Sequence, residues 1–337
     1  LHTNIDKDNI IQAKNVSNIY EIPLEYMKEG LVKTITSHFD IKVKCKPIFK
    51  KWMSLSKKID NLKYEVSIGM VGKYVELKDS YYSVLEALDH AGWYYNTKVN
   101  IVWINARKVK DMYKKLDKID GVLIPGGFGN TGVEEIISAI TYCRKKLIPM
   151  LGICFGLQLA VIEFCRNVLG IKNASSKEFG MPDDTFVVDL MTEWKTDKGS
   201  LEKRTGTTDL GGTLRLGSYK TILAPGTLAY KLYGDIVIYE RHRHRYEVNI
   251  KYREQLEKHG LIFSGMSPNN KLPELIEIGK YTNKNGVVHT HPFFIGIQGH
   301  PEFNSNPFKP GPLFKGLVKA SLRKYKVPTA CRGTKGM

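Results

Sequence analysis

Between residues 66 and 153, short apolar runs alternate with stretches whose apolar residues recur every three to four positions. The runs VSIGMVG, VNIVWI, GVLIPG and IPMLGI are too short for helices and rich in β-branched residues, which predicts buried strands. Between them SYYSVLEALDHAGW, VKDMYKKL and VEEIISAITYCRKK carry helical spacing. Such alternation predicts an α/β fold, an open, mostly parallel sheet with helices on both faces. Ligands of these sheets gather beyond the carboxyl ends of the strands, so the residues that follow each run are where chemistry is expected.

Beyond the fourth run the chain reads PMLGICFGLQ, and then Leu157, Ala160, Val161, Phe164, Cys165, Val168 and Leu169 recur at helical spacing. Cys154 therefore falls at a sharp strand-to-helix turn flanked by Gly152 and Gly156, which allow the backbone to crowd as in a hydrolase nucleophile elbow. A thiol there meets the unpaired N–H groups and positive dipole end of the helix, both of which favour its thiolate. Taken alone, the pattern fits a buried structural cysteine equally well.

Two further segments shift that balance. FFIGIQGHPEF is a strand-like run ending at Gly299, and His300 and Glu302, two apart on extended backbone, can sit side by side. A carboxylate there would orient an imidazole as a Cys-His-acid triad requires; a strand-end histidine and a solvated glutamate are the plainer reading of the pair in isolation. GVLIPGGFG empties a strand into a glycine-rich turn able to present N–H groups to an oxyanion, but Gly126, Gly127 and Gly129 lack the dinucleotide-binding spacing.

PGGFG, GICFGLQ and GHPEF, in this order, resemble the class I (triad) glutamine amidotransferases. IGMVGKYVELKDSYYSVLEAL, TDLGGTLRLG and ERHRHRYEVN narrow the likeness to the glutaminase domain of the CTP synthase family, over residues 65 to 325. The resemblance implies Cys154 as nucleophile, His300 as general base and then acid, and Glu302 as the orienting carboxylate. It implies oxyanion N–H groups from Gly127 and Phe155, and glutamine contacts from Gly127, Phe155, Gly156, Leu157, Gln158, Glu178 and Arg245. An acid and a base suit the two ends of a zwitterion. The implied substrate is L-glutamine. ATP, Mg and UTP would belong to a synthetase domain of the same full-length chain, in a homotetrameric enzyme, with no cofactor in the glutaminase domain itself.

The chain departs from the family pattern at Asn130, Thr131 and Gly132, where a loop arginine is usual, so GTP is a less secure effector here than the chemistry is. Phe155 and Leu157 replace Leu and Met beside the cysteine, and Gly299 stands where a bulkier residue is usual. An amidotransferase or amidase serving another acceptor, and a non-catalytic regulatory or assembly module, are the rival readings.

Composition sets outer bounds. The 337 residues can bury a sizeable core, and no run of 18 apolar residues predicts a membrane span. The amino terminus has no signal-peptide pattern and looks cut from inside a longer chain. Five cysteines without a Cys-x-x-Cys pair suit a reducing cytoplasm, not a disulfide or zinc framework. The net charge of +17 is spread over lysine-bearing helix faces, so nucleic-acid binding is not expected. GMVGK lacks the rest of a phosphate loop, and Gly69 and Gly72 read as strand-end glycines; His242 and His244 lack a third ligand, so no metal is expected. The expected organisation is a synthetase remnant at 1–39, a basic connector at 40–64 containing a helix in KKWMSLSKKIDNL, a glutaminase domain at 65–326 and a disordered tail at 327–337.

Overall fold

The four apolar runs become strands β1 (Tyr64–Gly72), β2 (Thr97–Asn105), β3 (Gly121–Ile124) and β4 (Met150–Ile153) in the computed structural model. It describes residues 5–42, 49–73, 75, 78–190, 193–195, 201–203, 214–282 and 286–325. Part of the segment 204–217, the tail from 326, and the connector lysines Lys44 and Lys46 lie outside the described residues. The intervening patterns become the helices Tyr82–Tyr94, Val109–Leu116 and Val133–Lys146, and Cys154 opens the helix Phe155–Asn167. Contacts divide the chain into two units, 1–64 and 65–337.

In the first unit the Lys50–Ile59 helix packs on the turn Ile19–Glu21 and the helix Ile22–Lys28. Trp52 stacks on Tyr20 with ring centroids 6.2 Å apart, and Ser56 donates to Glu21 at 3.3 Å. Its burial is shallow, and Leu55 is the helix's buried residue.

The second unit is built on a nine-stranded sheet. Its order runs Val237–His244, Arg215–Leu223, Leu261–Met266, Pro273–Ile278, Phe294–Ile297, β4, β3, β1, β2. The stretch from Phe294–Ile297 through β4 and β3 to β1 is parallel, as expected. Beyond Phe294–Ile297 the pairings are antiparallel, forming a wing that the alternation in 66–153 does not announce.

Helices cover both faces. Val109–Leu116, Val133–Lys146 and Phe155–Asn167 form one packed group, and Tyr82–Tyr94, Leu228–Tyr233 and Pro312–Ser321 another. A side chain added at Gly121 would strike Ser321 and Leu317 of the second group; one added at Gly152 would strike Gly156 and Leu157 of the first.

The Phe155–Asn167 helix is not buried on one side only, as helical spacing of its apolar residues predicts: residues 155 to 165 are all buried. The Val133–Lys146 helix covers one side, and a three-stranded sheet of Ala174–Ser176, Thr185–Leu190 and Tyr246–Val248 covers the other. Its one acidic residue, Glu163, is accommodated by a two-pronged bond from the buried Arg144, at 2.9 and 2.7 Å. A buried carboxylate without such a partner would be strongly destabilising.

Candidate active site

Cys154, the Phe155 backbone, Gly126 and His300 converge where β3, β4 and the Phe294–Ile297 strand end side by side. Ile153 of β4 pairs with Ile297, and the Cys154 N–H continues that ladder by donating to the Ile297 carbonyl at 2.7 Å. The chain then turns on Cys154 itself, whose φ of 52° and ψ of −100° lie where side chains are rarely tolerated. The turn needs backbone against backbone: a Cβ at Gly156 would come within 2.4 Å of the Ile124 carbonyl oxygen. The helix thus starts hard against β3 and holds the thiol over the strand ends, 3% exposed.

His300 arrives from the neighbouring strand. Its N–H donates to the Arg241 carbonyl at 2.7 Å, and its Nδ1 lies 2.8 Å from Oε1 of the buried Glu302. The other side of the ring faces the thiol, which is near enough to bear on the ring's titration. Burial opposes charge on this imidazole, but bonds to Cys154 and Glu302 and their negative charge outweigh it, raising His300 from 6.5 to about 10. A Cβ at Gly126 would sit 3.0 Å from the His300 ring and 3.7 Å from the Cys154 Cβ. A side chain there would crowd the ring.

Around this line, Gly127 approaches the Phe155 ring. The first helical turn leaves N–H groups without intrahelical acceptors, whereas those of Leu157 and Gln158 are bonded to the Cys154 carbonyl at 3.1 and 3.3 Å. The Leu157 side chain turns into the core against Gly296. Gln158 bridges outward, donating to the Tyr246 carbonyl at 2.9 Å and to Gln298 Oε1 at 3.2 Å. It thereby ties the helix to the segment that carries the half-buried Arg245. Glu178 reaches the glycine-rich turn, where its Oε1 accepts the Gly129 N–H at 2.7 Å.

Two residues near the site were not singled out by sequence. Gln298, fully buried, donates to Cys154 Sγ at 3.6 Å; an amide ending the apolar run FFIGI was the available signal. Lys73, read with GMVGK as a strand end, is buried with its ammonium 4.4 Å over the Phe155 ring. Nothing local in GMVGK foretells that, because its partners lie more than fifty residues away.

His242 and His244 bond to each other at 2.9 Å inside a buried cluster with Arg215, Glu247 and Glu274. Burial first, and the Arg215 charge next, push both imidazoles well below their ordinary value, so both are neutral. A cleft of about 690 Å³ bordered by Tyr142, Lys146 and Arg166 opens on the outer helical face and contains none of these residues.

A sulfur, an imidazole and a carboxylate in line, beside open N–H groups at strand ends, are the equipment of acyl transfer. The family model described as class-I glutamine amidotransferase matches residues 76–320. The chain belongs to the class-I glutamine amidotransferase family. The chain is 48% identical over 330 residues to a CTP synthase of Methanocaldococcus jannaschii, covering 96% of this chain and 57% of that one. It is 46% identical to a CTP synthase of Brucella canis, covering 97% and 58%. The chain therefore spans somewhat over half the length of these curated relatives. Among solved structures it is similar to the glutaminase domain of Trypanosoma brucei CTPS with bound acivicin, with 32% identity, a TM-score of 0.64, and coverage of 77% of this chain and 94% of that one.

Proposed function

We propose that this chain hydrolyses L-glutamine to glutamate and ammonia through a thioester on Cys154. The observation that carries the reading is the grouping of Cys154, His300 and Glu302 at adjoining strand ends, with Cys154 held in a strained backbone turn.

Because His300 holds its proton until about pH 10, the resting pair is imidazolium beside sulfur, and the ring acts first as an acid. The Cys154 thiolate attacks the side-chain amide carbon, and the carbonyl electron pair moves onto oxygen, facing the N–H groups of Gly127 and Phe155. As the C–N bond breaks, the imidazolium gives its proton to the departing nitrogen, which leaves as ammonia. The neutral ring then takes a proton from water, whose oxygen attacks the thioester; the sulfur leaves as thiolate, glutamate is released and the imidazolium is restored. Glu302 supports the charged ring throughout. Glu178 and Arg245 serve the ammonium and carboxylate of the substrate.

In the longer protein the ammonia would pass to a synthetase domain and aminate ATP-activated UTP to CTP. The likeness to CTP synthases along nearly the whole chain supports this reading. Replacing Cys154 by Ala is expected to lower glutamate release by at least about 1,000-fold, as for loss of a covalent nucleophile. Glutamate production within tenfold of the parent would sink the assignment. Acivicin, bound by the trypanosomal domain, is expected to block the parent in the same assay.

A further inference from the structure

The turn between Ile124 and Val133 has no regular secondary structure, yet an oxyanion N–H must be aimed to within a few tenths of an ångström. Two side chains from elsewhere in the fold hold it. Lys73 Nζ donates to the Phe128 carbonyl at 3.0 Å and to the Gly129 carbonyl. Glu178 accepts the Gly129 N–H at 2.7 Å. The peptide between Phe128 and Gly129 is therefore gripped at both ends, its oxygen by a cation and its N–H by an anion. That peptide is one residue beyond Gly127.

Lys73 is itself anchored. Its ammonium lies over the ring of Phe155, the residue that follows the nucleophile, and a Cβ added at Gly127 would lie 3.7 Å from the same ring. Burial draws the Lys73 ammonium down to about 8, with the Glu178 charge opposing. An ammonium buried without acceptors would be costly, and here the turn's carbonyls supply them. One cation thus bridges the glycine-rich turn and the start of the nucleophile helix, the two sources of oxyanion N–H groups in the proposed mechanism.

We propose that Lys73 is a positioning residue: together with Glu178 it fixes the Phe128–Gly129 peptide and thereby aims the Gly127 N–H at the developing oxyanion. This rests on the glutaminase reading for its effect on turnover, but the clamp itself can be seen without turnover.

The test uses Lys73→Met, which keeps an apolar stem against Phe155 and removes the donor, and Lys73→Arg, which keeps a donor. Glutamate release and amide hydrogen exchange across residues 126–132 are measured on the full chain. For Lys73→Met, kcat is expected to fall about 100-fold, as for a lost or misaimed oxyanion donor, with the KM for glutamine changing less than about threefold. Exchange in the turn is expected to accelerate about tenfold, and Lys73→Arg to recover most of both effects. A purely structural role would lower the melting temperature while leaving kcat per alkylatable Cys154 unchanged. Turnover within threefold of the parent, or unaltered exchange in the turn, would overturn the proposal. If the parent itself released no glutamate, the glutaminase reading would fail, and the exchange result would still decide the clamp.

Discussion

His300 shows how a single residue's chemistry depends on its neighbours. Burial alone would keep this ring neutral at pH 7, and its bonds to Cys154 and Glu302 reverse that. In Cys154→Ala one of the two supports is gone, so the His300 titration, followed by NMR of its ring, is expected to move down from about 10; an unmoved titration would deny the contact. The sign for stability follows. A pKa raised on folding from 6.5 to about 10 contributes stability that is fully present below pH 6.5 and lost as pH rises through 10. The placement of Cys154 at a strand-to-helix turn and of His300 beside Glu302 was legible in sequence because each sits in a short motif with its own local geometry. Lys73 and Gln298 were not, since a lysine after a strand and an amide in an apolar run acquire meaning only through distant partners.

Among the elements, the meeting of β3 with the Phe155–Asn167 helix is the tightest constraint. Gly156→Ala would set a methyl 2.4 Å from a backbone oxygen that has no room to withdraw. A loss of at least about 3 kcal/mol is expected in urea unfolding, the upper range for overpacking, and a loss under 1 kcal/mol would mean the helix can slide. Helix Val133–Lys146 matches its sequence pattern residue for residue, because its apolar spacing and acidic-to-basic charge gradient agree. The burial of the Phe155–Asn167 helix on every side could not be read from its own residues. It depends on a small sheet assembled from three segments further along the chain.

For the whole molecule, the parallel strands β3, β4 and Phe294–Ile297 are buried throughout, while β2, largely half-buried, and Val237–His244, with alternate residues exposed, lie at the two sheet edges. Hydrogen exchange should be slowest in the three central strands and limited there by global unfolding, with the two edges opening first. Equal protection at centre and edge would contradict this gradient. The α/β class was legible because alternation over 66–153 gives the parallel half and its helices. The antiparallel wing was not, since charged strands such as Val237–His244 lack an apolar run to mark them.

The sulfur follows β4 and the imidazole follows its hydrogen-bonded neighbour, with the Cys154 N–H and the Ile297 carbonyl sharing one rung. Their separation is therefore set by the spacing between two strands in the middle of the sheet, a dimension that surface events scarcely alter. The reactive couple owes its separation to the sheet and not to the loops around it.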